Sequence, residues 1–209
     1  MKIWDVSQVL RPGMPMWPGE PALVIHRNTE ISTQGPVNVG AMDTPLHAGT
    51  HADSPYHYDP HGVTCADCDL DPYLGRCILV DVSSAQTRIE PGDLDWLALA
   101  GFERVLFRTY ERFPENRWDS DFKAISPEVI ARLRESGVRL VGTDAASLDP
   151  QQSKTMDAHR EIQTGDMRIL EGLVLDDVPA GEYELIALPL KIARADASPV
   201  RAILREINR

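Results

Sequence analysis

The sequence predicts a strand-rich α/β domain built on a mixed sheet with few helices. Three observations carry this. Four short apolar runs, residues 77–82, 104–109, 138–143 and 184–190, have the β-branched content and length of buried strands. Helical patterning is confined to short segments between the runs, so strand outweighs helix. The first sixty residues are dense in turn formers, with Pro12-Gly13, Pro18-Gly19 and Gly35-Pro36, which favours short strands and long loops.

The N-terminal segment is therefore read as strands and loops. The run at 77–82 (CILVDV) is the first buried strand, and a helix is expected over 93–99. The run at 104–109 (RVLFRT) is the second strand. A helix over Pro127–Glu135 follows, with Ser126 as N-cap, Pro127 at the first helical position and Gly137 closing the run. The run at 138–143 (VRLVGT) is the third strand and 184–190 (ELIALPL) the fourth. A further helix is expected between residues 152 and 163. Residues 200–207 fit strand or helix on pattern alone.

At 209 residues the chain is read as one domain spanning 1–209, long enough for its own core. Hydrophobic residues make up 43% and charged residues 25%, as in soluble globular proteins. The net charge of −11 argues against nucleic acid and anionic membranes, which demand basic surfaces. Three cysteines, the absence of a secretory leader and of any apolar run near membrane-spanning length point to the cytoplasm. Cys65 and Cys68 form a lone C-x2-C pair and are read as incidental loop residues.

The chemistry concentrates in Thr44-Pro-Leu-His47-Ala-Gly-Thr-His51-Ala-Asp53-Ser-Pro-Tyr-His57. His47, His51, His57 and His61, four of the six histidines, fall within fifteen residues. Imidazole and carboxylate are ordinary ligands of Zn²⁺ and related ions. Pro45, Gly49 and Pro55 argue against a helix here. An extended chain would hold His47 and His51 about 13 Å apart. A bend at Gly49 would bring them together, and its missing side chain would leave room for an ion. His159 and Glu171, a lone acid in an apolar run, are the remaining ligand candidates. Tyr56 and Tyr58 flank His57 and are candidates to shape its pocket. His61 is read as a solvated loop residue.

At these residues the sequence resembles the cyclase-like metal-dependent hydrolases, and within them the bacterial kynurenine formamidases (arylformamidases). The matching stretches are Trp17-Pro-Gly19, His47-Ala-Gly-Thr-His51-Ala-Asp53-Ser-Pro55, Gly142-Thr-Asp144, Ser147-Leu-Asp149, His159, Glu171-Gly-Leu173, Pro189-Leu-Lys191 and Ala197-Ser-Pro-Val-Arg201. The resemblance implies a domain of the swivelling β/β/α type, a homodimer, and two divalent metal ions, Zn²⁺ or Mn²⁺, per subunit. By it, His47 and His51 bind one ion, His159 the other, and Asp53 and Glu171 touch both. His57 becomes the catalytic acid/base and Trp17 a wall of the substrate pocket; residues 200–204 become a strand. The implied reaction is hydrolysis of N-formyl-L-kynurenine to L-kynurenine and formate in tryptophan degradation. Relatives with the same signature open cyclic amides such as isatin, and a non-catalytic metal buffer or sensor is the alternative of another class. No Gly-x-Ser-x-Gly elbow is present for a serine route.

Overall fold

A computed structural model describes residues 1–33 and 35–207. Its strands are β1 (Ile3–Asp5), β2 (Val24–Thr29), β3 (Val39–Asp43), β4 (His51–Asp53), β5 (Leu74–Asp81), β6 (Arg88–Ile89), β7 (Arg104–Arg108), β8 (Ala124–Ile125), β9 (Leu140–Thr143), β10 (Arg168–Glu171), β11 (Gly181–Ile186), β12 (Ala197–Pro199) and β13 (Ile203–Arg205). Two α-helices accompany them among the described residues, α1 (Pro127–Glu135) and α2 (Asp157–Thr164). Nine strands form one sheet in the order β1-β13-β11-β5-β7-β9-β10-β4-β12. Its centre, β5-β7-β9-β10, is parallel, and its flanks are antiparallel. This is the mixed, helix-poor α/β architecture expected.

Strand alternation splits the core between the two faces of the sheet. Val105, Phe107, Val141 and Ile169 face one cluster, shared with Val129, Ile130 and Leu133 of α1 and Ile162 of α2. Leu106, Leu140 and Leu170 face the other, with Val6, Tyr73 and Leu204. Helix α1 has the expected bounds. Ser126 Oγ accepts from Val129 N at 3.3 Å, and Gly137 ends the helix at φ +86°.

Three expectations shift. Residues 93–99 are not an α-helix: a short 3-10 turn covers Pro91–Asp93 and turns follow. There the Asp95 carboxylate accepts from Leu97 N and Ala98 N, the bonds of a cap, which set Asp95 before a turn and not inside a helix begun at residue 93. The strand expected at 184–190 begins earlier and stops at Ile186, ahead of Pro189, which has no N–H to offer a ladder. The ambiguous 200–207 segment holds a strand only at Ile203–Arg205, later than the 200–204 that the family resemblance implied.

Candidate metal centre

Strand register assembles the site. β4 pairs with β10 so that His51 lies opposite Glu171 and Asp53 opposite Ile169. Ala52, between them, points into the opposite core, so His51, Asp53 and Glu171 share the face that α2 covers. His159 enters from that helix, three residues into its first turn. The chain bends at Gly49, φ +63°, which brings the His47 and His51 rings to 5.0 Å. The bend is as expected, but the space is not for an ion: a side chain at Gly49 would meet Leu10 and Met14.

Asp53 is fully buried and lies at the centre. Its Oδ1 is 3.0 Å from His47 Nδ1 and 3.4 Å from His51 Nε2, while Oδ2 is 3.7 Å from His159 Nε2. Glu171 repeats the pattern, Oε2 at 3.4 Å from His51 Nε2 and Oε1 at 3.8 Å from His159 Nε2. None of these approaches has hydrogen-bond alignment at Asp53, so both its oxygens, and His51 Nε2, are buried without a partner. Such orphans cost about 1–3 kcal/mol each unless something satisfies them. Metal bonds of about 2.0–2.2 Å in a tetrahedron place ligand atoms roughly 3.3–3.6 Å apart, close to the tighter of these distances. The donor set therefore fits divalent cations.

The outer contacts fix the rings. His51 Nδ1 donates to Gly49 O at 3.0 Å, leaving Nε2 free to face Asp53. His159 Nδ1 donates to Asp149 Oδ2 at 2.7 Å, and the same carboxylate accepts from Ala158 N and His159 N, capping α2 where Met156 offers no side-chain cap. His47 Nε2 reaches Asp196 Oδ2 at 3.1 Å, and His57 Nδ1 lies 3.6 Å from the same oxygen.

The electrostatics ask for positive charge. Burial works against a charged His47, yet Asp53 and Asp196 raise its pKa to about 9. Burial likewise opposes charge on His159, but Asp149, Asp53 and Glu171 raise it to about 10. Without a cation, the carboxylates hold protons on the imidazoles instead. His57 differs: burial and the neighbouring His47 and His159 lower its pKa against the pull of Asp53 and Glu171.

These histidines form the floor of a cavity of about 290 Å³, with Trp17 on its wall. Trp17 packs edge-on against Trp118 at 5.4 Å and is 37% exposed, so it is no core residue. Tyr56 and Tyr58 do not line the cavity, contrary to expectation. Tyr58 packs against the core and donates to Met167 O at 3.3 Å, and Tyr56 faces solvent. His61 is exposed, as read. Cys65 and Cys68 are unbridged, and burial raises the Cys65 thiol to about 11, which leaves it inert. Sequence reasoning missed Asp196. It lies 149 residues from His47 and reaches the site only because β12 pairs with β4.

A buried acid–histidine cluster under a cavity, on this sheet, defines the class. A family model described as putative cyclase matches residues 4–150, and the chain belongs to that family. Within it the chain is similar to the kynurenine formamidases. It is 63% identical to that of Sphingopyxis alaskensis and 54% identical to that of Maricaulis maris, each over 99% of both chains. A solved structure described as a potential metal-dependent hydrolase with cyclase activity superposes with TM-score 0.86 at 29% identity, covering 99% of both chains.

Proposed function

We propose that this protein hydrolyses N-formyl-L-kynurenine to L-kynurenine and formate in tryptophan degradation, at two divalent metal ions, Zn²⁺ or Mn²⁺, per subunit. The observation that carries the metal reading is Asp53, whose two buried, unpartnered oxygens face His47 and His51 on one side and His159 on the other. Glu171 spans the same two sides. The ligand set is thus His47, His51, Asp53, His159 and Glu171. The relatives' activity supports the substrate.

Bound divalent ions supply Lewis acidity, which makes a nucleophile of water near neutral pH and offsets charge on the formyl oxygen. The chain's own groups do the rest. His57 opens onto the cavity beside the cluster, where a ring N–H can protonate the departing aryl amine as the C–N bond breaks. Asp196 orients His57 and His47 together. Trp17, braced by Trp118 and Phe122, gives the aryl ring an apolar wall and excludes water.

The exposed β2–β3 hairpin supports a homodimer. The two strands form a separate hairpin whose strand residues are all exposed, including Ile25 directly opposite Met42. An isolated two-stranded hairpin is marginally stable, so a second copy of the chain is the natural cover. Unbridged Cys65, Cys68 and Cys77 suit the cytoplasm. No helix among the described residues is long and apolar enough to cross a membrane.

The test is kynurenine formation from N-formyl-L-kynurenine by protein stripped with chelator and reloaded with Zn²⁺ or Mn²⁺. Activity should vanish on stripping and return on reloading. Protein that rebinds two ions yet makes no kynurenine would sink the substrate and redirect the search to cyclic amides such as isatin.

A further inference from the structure

From the cavity's charges we infer that Arg117 binds the α-carboxylate of the substrate, so that the enzyme selects its amino-acid end as well as its formamide. This rests on the formamidase reading above and deepens it. N-formyl-L-kynurenine carries an aryl formamide at one end and an α-ammonium and α-carboxylate at the other. With the formyl group at the histidine cluster and the ring on Trp17, both charges fall further along the cavity. A carboxylate there meets a chain of net charge −11 and, on the walls, the acids Glu20, Glu115 and Asp119. It needs a cation.

Arg117 is the one lysine or arginine among the described residues that line the cavity. Its guanidinium makes no hydrogen bond or ion pair with any described residue, while its charge acts on the Tyr110 phenol, which lines the same cavity. The side chain is free, but the loop that carries it is not. The buried Asp144 carboxylate accepts from Thr109 N, Thr109 Oγ1 and Tyr110 N at one end of the loop. Arg11 Nη2 donates to Glu115 O and to Asn116 Oδ1, and Trp118 Nε1 donates to Gln151 Oε1 at 2.7 Å. A pinned loop thus presents one unpaired guanidinium beside the tryptophan wall. That is the preorganisation which makes bidentate carboxylate binding effective. Asp119 is occupied by the Tyr110 hydroxyl. Among the described residues, the Glu20 and Glu115 carboxylates have no hydrogen-bond or ion-pair partner, and they are the acids left for the α-ammonium.

The experiment compares two substrates and two ligands on the metal-loaded protein. The substrates are N-formyl-L-kynurenine and 2-formamidoacetophenone, which keeps the ring, ketone and formamide but lacks the amino-acid end. The ligands are L-kynurenine and 2-aminoacetophenone, measured by direct titration. Arg117→Gln should lower kcat/KM for the full substrate and affinity for L-kynurenine about 10–100-fold, the loss expected of a charge-assisted pair. It should leave both truncated compounds within about twofold, and Arg117→Lys should restore part of the loss. Equal losses on full and truncated compounds, or none on either, overturn the assignment. The binding arm stands apart from turnover. Protein that hydrolyses neither substrate but binds L-kynurenine in an Arg117-dependent way keeps this subsite and loses the formamidase reading. Hydrolysis with no Arg117 dependence does the reverse.

Discussion

Asp149→Asn removes one negative charge and no volume, at a group that serves both helix α2 and the candidate metal centre. Asp149 is buried, 4% exposed. One oxygen accepts from Ala158 N at 3.0 Å; the other accepts from His159 N at 3.1 Å and His159 Nδ1 at 2.7 Å. An asparagine has a single acceptor oxygen. If that oxygen faces Ala158, the amide nitrogen opposes two His159 nitrogens, and the ring proton must move to Nε2, the atom facing Asp53 and Glu171. If it faces His159, the amide opposes Ala158 N–H. Either way one charge-assisted bond is lost, about 1.5–3 kcal/mol of stability in the metal-free protein. The weakened hold on His159 should cost about 10–100-fold in metal affinity, roughly 1.4–2.8 kcal/mol. Urea unfolding of the metal-free protein reads the first quantity, and competition with a chelator for Zn²⁺ reads the second. A variant that is destabilised but binds Zn²⁺ with unchanged affinity would refute the reasoning, leaving Asp149 a helix cap alone.

His57→Ala should retain its metal content and lose about 10²–10⁴-fold in turnover; since His57 lies within ligand reach of Asp53 and His159, loss of an ion on elemental analysis would make it a ligand instead. Ser126→Ala should cost about 0.5–2 kcal/mol by chemical denaturation, because it frees the Val129 N–H at the start of α1. Arg108 holds the Asp81 carboxyl at about 2, below its value of about 3.9 in the unfolded chain, so the pair's contribution is full above that value and fades as pH falls toward 2. The partly exposed pair limits it to about 1 kcal/mol, and the gap between wild type and Asp81→Asn in urea should be present at pH 7 and shrunken at pH 3. Ile25→Asp with Met42→Asp should yield a monomer by light scattering; an unchanged mass would remove the hairpin from the subunit interface.

The sequence by itself determined those features whose causes are local. Ser126, Pro127 and Gly137 set the bounds of α1, because capping and backbone stereochemistry act within a few residues. Turn-rich composition and short β-branched runs announced a strand-dominated fold. The segment from His47 to His57 marked a candidate metal site, since so many potential ligand side chains within one short stretch have few other uses. Residues 93–99 misled, because helical spacing cannot reveal that the Asp95 carboxylate accepts from the backbone N–H groups of Leu97 and Ala98.

Only the tertiary structure decided what depends on register and packing across the sheet. The pairing of β4 with β10 sets His51 against Glu171, and that of β4 with β12 brings Asp196 to His47 and His57. Asp149 was visible as part of a matching stretch, but its hold on His159 required α2 to begin beside it. The free guanidinium of Arg117 has no signature in the chain, because what marks it is its place as the one lysine or arginine among the described residues that line the cavity. Local chemistry names the candidate ligands, and long-range strand pairing decides which of them meet.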